Sequence, residues 1–503
     1  MRGIYTPVTK IRRQVFAAIA KMAYEDSDYS RRIEEIPFEI IPGEIANYRD
    51  SVFKERAIIG ERLRLAIGLP LYPVDRPSPI SRGVEESAIA EKVYDPPLIN
   101  VIPFACSACE TKSFMVTNNC RGCLAHPCVS VCPVKAVSMV NGKSVIDKEK
   151  CVRCGRCKEA CPYEAIVKYD RPCATACGVD AIESDEFGRA KINYDKCVSC
   201  GMCLVNCPFG AIVDKTQIFQ LIHAIKEGGN VIAEIAPAFV GQFGPLATPD
   251  KIKKAIKLLG FSDVIEVALG ADLGAIEEAN HYVNKVINGD DPFIGTSCCP
   301  SWSVMAKSRF PEIAQCISGE LTPMVATARM IKKEHPNARI VFIGPCPAKK
   351  LEASRRSVRS DVDFVITFEE LMGMFVAKGI EFGDLDSDDS FDDATAAGRG
   401  YSVAGGVANA IATTVKDLYP EVDVKIDRAE DLKSCIKMLT LAKAGKRNGY
   451  LLEGMACPGG CIGGAGTLMP PKKAVSAVTE FQKKADEQRA TKNFYLINED
   501  IIK

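Results

Sequence analysis

The sequence predicts an α/β domain in the C-terminal half, an α+β domain of tandem cysteine repeats before it, and a small helical region at the N-terminus. Three observations carry this prediction. After Lys215 short apolar runs alternate with helical periodicities, the texture of a mostly parallel sheet covered by helices. Between Cys106 and Cys207 a cysteine pattern recurs, Cys128 to Cys173 being 45 residues and Cys161 to Cys207 being 46. Before Leu98 there is no cysteine at all. The expected boundaries are 1–98 for the helical region with its Pro-rich linker and 99–215 for the repeats. The α/β domain follows over 216–475 and a C-terminal helical tail over 476–503.

In the first region Ile11 to Ala23 and Ile45 to Ile67 read as amphipathic helices. Pro70, Pro73, Pro77 and Pro79, then Pro96-Pro97, punctuate a linker. The expectation is a helical cap on the cysteine-rich domain, with docking or oligomerisation as the alternative.

The repeats have a specific chemistry. Cys151-x-x-Cys154-x-x-Cys157-x-x-x-Cys161-Pro162 and Cys197-x-x-Cys200-x-x-Cys203-x-x-x-Cys207-Pro208 each offer three thiolates to one iron–sulfur cluster and a fourth to its neighbour. Each unit is similar to a two-cluster bacterial ferredoxin. On that pattern Cys120, Cys123, Cys128 and Cys161 hold one 4Fe–4S cluster, and Cys132, Cys151, Cys154 and Cys157 a second. Cys177, Cys197, Cys200 and Cys203 hold a third. A fourth needs partners near positions 165 and 168, where Ala165 and Lys168 stand, so the repeat is broken. Cys106 and Cys109 fill the gap beside Cys173 and Cys207, giving four clusters from sixteen cysteines. The competing reading joins Cys106-x-x-Cys109 to Cys120-x-x-Cys123 as a zinc ribbon.

In the α/β region the strands are expected at Asn230–Pro237, Val264–Leu269, Ala338–Ile343, Phe364–Thr367 and Tyr450–Glu453, with helices over Leu273–Ile287 and Phe368–Lys378 between them. Three cysteine loops follow apolar runs: Thr296-Ser-Cys298-Cys299-Pro-Ser-Trp302, Gly344-Pro-Cys346-Pro-Ala-Lys349, and Glu453-Gly-Met455-Ala-Cys457-Pro-Gly-Gly-Cys461-Ile-Gly-Gly464. Ligand sites in such folds gather beyond the carboxyl ends of strands. Cys316 and Cys435 have no partner by spacing and read as small buried hydrophobes, and Trp302 as packing for the first loop.

These three loops, in this order, resemble the catalytic domain of the FeFe-hydrogenases from about Asn230 to Gly466. The resemblance implies an H-cluster, a 4Fe–4S unit bridged to a diiron subcluster carrying CO, cyanide and azadithiolate. Its ligands would be Cys299, Cys346, Cys457 and the bridging Cys461. It further implies that Cys298 relays protons, with Glu278 and Ser318 as the next stations and His281 where the outermost carboxylate stands in the clostridial type. Read alone, Glu277 and Glu278 are also consistent with solvated helix carboxylates. Lys349 matches the lysine that holds a cyanide, Met455 a thioether beside the diiron unit, and Ala236 and Pro237 an apolar pair lining the pocket. Ala238 replaces a common Ser, Gly344 a Met and Ser301 a Gly, departures that resemble the branch called group B.

The implied function is a cytoplasmic, ferredoxin-dependent hydrogenase interconverting H2 with protons and electrons, matured by dedicated hydrogenase maturation proteins. Its electrons would run through the four clusters to or from ferredoxin or a similar low-potential carrier. The rival is an H2-sensing or iron–sulfur scaffold homologue with little turnover. Composition excludes some partners: 64 basic against 64 acidic residues give no pull toward nucleic acid, and no apolar stretch predicts a membrane span. Twenty-three cysteines in C-x-x-C spacing suit metal thiolates in a reducing compartment.

Overall fold

The computed structural model describes residues 4–73, 75–91, 96–111, 113–386 and 389–498, so parts of the expected linker and the end of the expected tail lie outside the described residues. Two parallel sheets form the α/β domain. One has the strand order Asp263–Glu266, Val231–Ile235, Arg339–Gly344, Phe364–Thr367, and the other Phe293–Gly295, Tyr450–Met455, Lys425–Glu430. Most of these strands are apolar along nearly their whole length because helices cover both faces. Phe293–Gly295 and Lys425–Glu430 escape the sequence reading. The first has three residues, and the second is a charged edge strand with only Ala429 buried. The helix expected from Leu273 begins earlier, at Ala268, and changes to π-helix over Val283–Ile287. The strand before it correspondingly ends at Glu266.

The cysteine domain is built from four antiparallel pairs. Ser113–Val116 pairs with Ile166–Tyr169 around the hairpin Val137–Val140/Lys143–Ile146, and Ile99–Val101 pairs with Ile212–Asp214 around the hairpin Ile182–Ser184/Ala190–Ile192. The second unit is therefore closed by a strand that precedes the first unit in the chain. One ferredoxin-like unit is inserted into the other, which is why the repeat reads as broken at Ala165 and Lys168.

The N-terminal helices are Pro7–Glu25, Tyr29–Ile40 and Val52–Ala66. The single helix expected over Ile45–Ile67 is shorter because the Glu55 carboxylate gathers the backbone N–H groups of Asn47, Tyr48 and Arg49 into a turn. The second helix was hidden by Pro37, which lies inside it. The region is more than a cap on the cysteine domain. Phe16, Ile19, Ile33 and Ile59 share one hydrophobic core with Phe219, Ile235, Phe342 and Phe375 of the α/β domain. A buried charge network ties all three regions together. Lys350 Nζ donates to Asp214 Oδ2 at 2.8 Å and Glu370 Oε1 at 2.5 Å, and Arg12 pairs with Glu369 at 2.5 Å. Such a network adds specificity of packing more than net stability. At the C-terminus the helix Pro471–Lys483 packs Val478 and Phe481 into the core.

Candidate metal centres and proton route

Four loops of the cysteine domain share one conformation. In Cys106-Ser-Ala-Cys109, Cys120-Arg-Gly-Cys123, Cys151-Val-Arg-Cys154 and Cys197-Val-Ser-Cys200 the residue before the second cysteine is left-handed, with φ of 48°, 56°, 59° and 52°. Three of these four residues are not glycine, so each accepts backbone strain of order 1–3 kcal/mol to turn the loop. Cys106-x-x-Cys109, which the spacing alone left without a unit, therefore carries the same backbone as the others.

A second recurring device follows four further cysteines. Lys135, Glu164, Asp180 and Gly210, each three residues after a cysteine, are also left-handed. Each turn aims the next amide at sulfur. Ala136 donates to Cys132 Sγ at 3.2 Å, Ala165 to Cys161 at 3.4 Å, Ala181 to Cys177 at 3.2 Å and Ala211 to Cys207 at 3.4 Å. Such N–H···S bonds stabilise negative charge on a thiolate, which is what a cluster ligand carries.

The cysteines fall into sets. Cys120, Cys123, Cys128 and Cys161 line one cavity, and Cys106, Cys109, Cys173 and Cys207 line another. Arg171 holds the second together, donating to the Cys109 carbonyl at 2.9 Å and to the carbonyls of Glu183 and Gly188. Cys157 lies near Cys132 and Cys151, and Cys203 near Cys177, Cys197 and Cys200. The zinc-ribbon partners are thus divided between two cavities. The sets also form a line. Cys151 and Cys109 border one cavity, Cys173 and Cys203 act on each other, and Cys200 reaches Cys299 of the α/β domain.

In the α/β domain the strands Phe293–Gly295, Arg339–Gly344 and Tyr450–Met455 each run into a cysteine loop. Cys299, Cys346 and Cys461 come close enough to act on one another, and Cys457 is four residues before Cys461 on the same loop. The surrounding protein pushes the thiols of Cys298, Cys299, Cys346 and Cys461 up, Cys346 to about 11, yet all four keep accessible surface. Residues that are deep in protein and still keep accessible surface border an internal space. Cys316 and Cys435 differ: they are 1% and 0% exposed and pack with Trp302 and Leu452. The soft donor set and the space beside it fit an iron–sulfur group. A Cβ on Gly464 would lie 2.3 Å from the Pro345 carbonyl oxygen, so this glycine lets the third loop close on the second.

The other matched residues take these places. Ala236 and Pro237 are buried at the end of the strand Val231–Ile235, beside buried Ala238. Met455 is 2% exposed. Lys349 Nζ stands 2.8 Å from Glu352 Oε2 and 3.4 Å from the Cys298 carbonyl, and these carboxylate and thiolate neighbours raise its pKa. Gly344 has no room for a larger residue because the Phe342 ring would be 2.1 Å from its Cβ, so Phe342 fills that space. Ser301 donates to the Val198 carbonyl at 2.9 Å and stitches the first loop to the adjoining cysteine loop.

Glu278 is buried on the helix Ala268–Tyr282, its carboxyl pushed up to about 8 by desolvation, with Ser297 Oγ donating to Oε1 at 3.5 Å and Oε2 without a hydrogen-bond partner among the described residues. That burial rules out the solvated-carboxylate reading for Glu278. His281, one turn further along, places Nδ1 3.0 Å from Glu320 Oε1. Two residues were missed. Tyr401 lies close to Cys298 and Glu278, and its buried hydroxyl finds no hydrogen-bond partner among the described residues. Glu453 accepts the N–H groups of Gly405 at 2.6 Å and Ala408 at 2.8 Å, anchoring the third loop to a helix N-terminus. Neither has a local sequence signal, because each acts on residues 45 or more positions away or on another element.

Fold and cysteine loops define an iron–sulfur protein with a ferredoxin-type domain ahead of an α/β domain. Residues 229–465 match the family profile "Iron only hydrogenase large subunit, C-terminal domain", and residues 144–167 and 190–213 match "4Fe-4S binding domain". The chain thus carries the FeFe-hydrogenase large-subunit module with N-terminal 4Fe–4S ferredoxin domains. It is 27% identical over 372 residues to Iron hydrogenase 1 of Clostridium pasteurianum, spanning 64% of each chain. It is 26% identical to Protein NAR1 of Arabidopsis thaliana, over 51% of this chain and 69% of that one. The solved FeFe-hydrogenase HydA1 from Chlamydomonas reinhardtii superimposes with a TM-score of 0.46 at 20% identity, over 54% of this chain and 88% of the other. Among the described residues no helix is long and apolar enough to cross a membrane.

Proposed function

We propose that the protein is an FeFe-hydrogenase that interconverts H2 with protons and electrons, exchanging its electrons with ferredoxin or a similar low-potential carrier. The observation that carries this reading is a junction: the cysteine loops of the α/β domain stand between the buried Glu278 and Tyr401 on one side and the cysteine sets that lead away on the other. Cys299, Cys346, Cys457 and Cys461 would hold the H-cluster, and the four cysteine quartets one 4Fe–4S cluster each. When bound, these groups supply the metal at which H2 is split or formed and the path for electrons.

The chain's own residues supply the rest. Cys298 would hold a proton at Sγ and exchange it with Glu278, whose burial keeps its carboxyl protonated near neutral pH. Lys349, kept cationic by Glu352, would donate to an anionic diatomic ligand in the space. Ala236, Pro237 and Met455 would exclude water there. The family branch, the reducing cytoplasmic setting and the need for maturation proteins belong to the same proposal.

A second reading is an iron–sulfur scaffold or H2-sensing homologue with little turnover, the scaffold being favoured by similarity to Cytosolic iron-sulfur assembly component 3 of Bos taurus, 25% identical over 281 residues. An infrared spectrum of anaerobic, maturase-treated protein separates the two. Iron-bound CO and cyanide bands that shift under H2 are expected. Their absence from protein with a full 4Fe–4S complement, when a known hydrogenase matures in parallel, would refute the hydrogenase reading. The variant Cys298→Ala should keep those bands and lose turnover by about 10²- to 10⁴-fold.

A further inference from the structure

A cavity of about 390 Å³ lies where the three regions of the chain meet, and no cysteine lines it. One wall is the start of the N-terminal helix Pro7–Glu25. A second is Leu204 and Val205, from the helix Met202–Asn206 of the cysteine domain. The third is the segment Thr467–Pro470 of the α/β domain, with Lys473 on the helix that follows. This third wall is fixed from behind. Gln242 Oε1 accepts the backbone N–H groups of Leu468 at 2.9 Å and Met469 at 3.1 Å, while its Nε2 donates to the Ala238 carbonyl at 3.0 Å.

The charged residues on the lining are Arg12, Arg13, Lys473 and Glu369. Arg12 pairs with Glu369 at 2.5 Å, and Arg13 acts on the same carboxylate from beyond ion-pair distance. The side chains of Arg13 and Lys473 make no hydrogen bond or ion pair among the described residues. Arg13 instead sets its guanidinium 5.5 Å from the Tyr5 ring centroid, and its Nε is buried without a partner. Three cations against one carboxylate leave a surplus of two. Two helices also begin at this cavity, Pro7–Glu25 and Pro471–Lys483, and neither carries an acidic residue in its first turn. The positive ends of both dipoles thus add to the two unpaired cations. The rest of the lining is apolar, with Phe243, Met372 and Leu204 facing the charged side.

We infer that this cavity binds an organic phosphate monoester, its phosphate between Arg13 and Lys473 and its organic part against Phe243, Met372 and Leu204. A phosphate monoester carries close to two negative charges near neutral pH, which matches the surplus of two cations. Guanidinium and ammonium groups beside helix N-termini are a phosphate site by ordinary electrostatics. The volume is that of a small-molecule site, and the apolar walls call for more than the bare ion. Binding changes no covalent bond and needs neither cluster nor diiron unit, so it stands apart from the hydrogenase reading. Because each region supplies a wall, the bound ester fastens all three together and should raise the melting temperature of the chain.

Titration calorimetry of the full chain with phenyl phosphate tests this. Saturable binding at one site is expected, with inorganic phosphate and benzoate each weaker and phenol giving no saturable heat. Arg13→Gln and Lys473→Gln should each weaken phenyl phosphate by about 10- to 100-fold, the effect of removing a charge-assisted hydrogen bond. Lys472→Gln, at an exposed neighbour that does not line the cavity, should change affinity by about twofold at most. Lys473 is itself exposed, so its variant should melt as the native chain does without ligand. Phenyl phosphate should raise the melting temperature of the native chain and leave that of Lys473→Gln where it was. No saturable binding at millimolar phenyl phosphate would overturn the inference. So would native affinity in both Arg13→Gln and Lys473→Gln. Benzoate binding as tightly as phenyl phosphate would overturn the doubly charged group, and inorganic phosphate doing so would overturn the organic part.

Discussion

The two ferredoxin-like units share their strand pairs, their left-handed loop residues and their N–H···S bonds, and differ in what surrounds them. The first faces water: Cys154 is exposed, as are Leu124 at 96% and Val152 at 60%, beside Cys123 and Cys151. The second is held between the other regions. Arg62 donates to the Gly210 carbonyl, Lys433 to the Thr175 carbonyl and Ser301 to the Val198 carbonyl, and the thiols of Cys200 and Cys173 are pushed up to about 12 by burial. In the first unit Cys120 is instead shifted down by the N–H groups of Ser144 and Gly122. One sequence pattern therefore stands in two settings, an exposed unit and a structural joint. A cluster in the second unit should be harder to reduce, because burial disfavours added negative charge.

The largest expected effect breaks the pair at matched positions. Cys154→Ser and Cys200→Ser should each lose one cluster's iron, measured as iron and labile sulfide per chain. Cys154→Ser should leave the melting of the α/β domain unchanged. Cys200→Ser should lower it and disconnect the catalytic centre from every outer cluster, abolishing carrier-linked electron exchange. Equal melting of the two variants would show that the second unit is no joint.

The same contrast between water and interior separates carboxylates. Glu110 in the first unit has its pKa lowered by the Lys148 ammonium, whereas Glu278 is raised to about 8. A raised folded-state pKa means the native state binds more protons than the unfolded one between the two values. Stability is then full below the unfolded carboxylate range and falls as pH rises toward 8. Glu278→Gln should remove this loss, gaining a few kcal/mol at pH 8.5 and almost nothing at pH 4, by denaturant titration. A gain independent of pH would contradict a buried, protonated Glu278.

What the sequence made legible follows from locality. The cysteine loops and most strands that deliver them announce themselves, because a cluster-binding turn and an apolar strand are each specified within a few residues. Cys106 and Cys109 could be matched to Cys173 and Cys207 only by elimination. The reason lies in topology, since the strand Ile99–Val101 closes the second unit around the inserted first, and no spacing rule reports an insertion. Tyr401 was silent for another reason. Its significance comes from its place near Cys298 and Glu278 on other elements, while in sequence it is an ordinary tyrosine. Strand Lys425–Glu430 carries too little apolar surface to be read at all.

A finer comparison uses two equivalent glycines. Gly155 and Gly201 follow Cys154 and Cys200 with φ of 86° and 75°. A Cβ on Gly155 would meet only the tip of Phe114 at 3.3 Å, but one on Gly201 would press Ala465 at 2.6 Å and Pro347 at 2.8 Å. Both alanine variants carry the backbone penalty. Gly201→Ala adds overpacking of about 1–3 kcal/mol, directly against the second and third cysteine loops. Gly201→Ala should therefore melt lower than Gly155→Ala and disturb the CO and cyanide bands of the matured site, which Gly155→Ala should leave alone.

The smallest effect concerns Tyr401, whose orphaned hydroxyl lies near Cys298. A buried hydroxyl without a partner costs about 1–3 kcal/mol, so Tyr401→Phe should stabilise the chain lacking the diiron unit by up to that amount. The hydroxyl is close to the internal space, and a group bound there offers it acceptors. In the matured protein the same substitution should then lose the gain, or reverse it, and turnover should fall a few-fold. The comparison of the two melting shifts is therefore more informative than either alone. Equal stabilisation with and without the diiron unit would mean that the Tyr401 hydroxyl stays unpartnered in both states and belongs to the packing of the site, not to its chemistry.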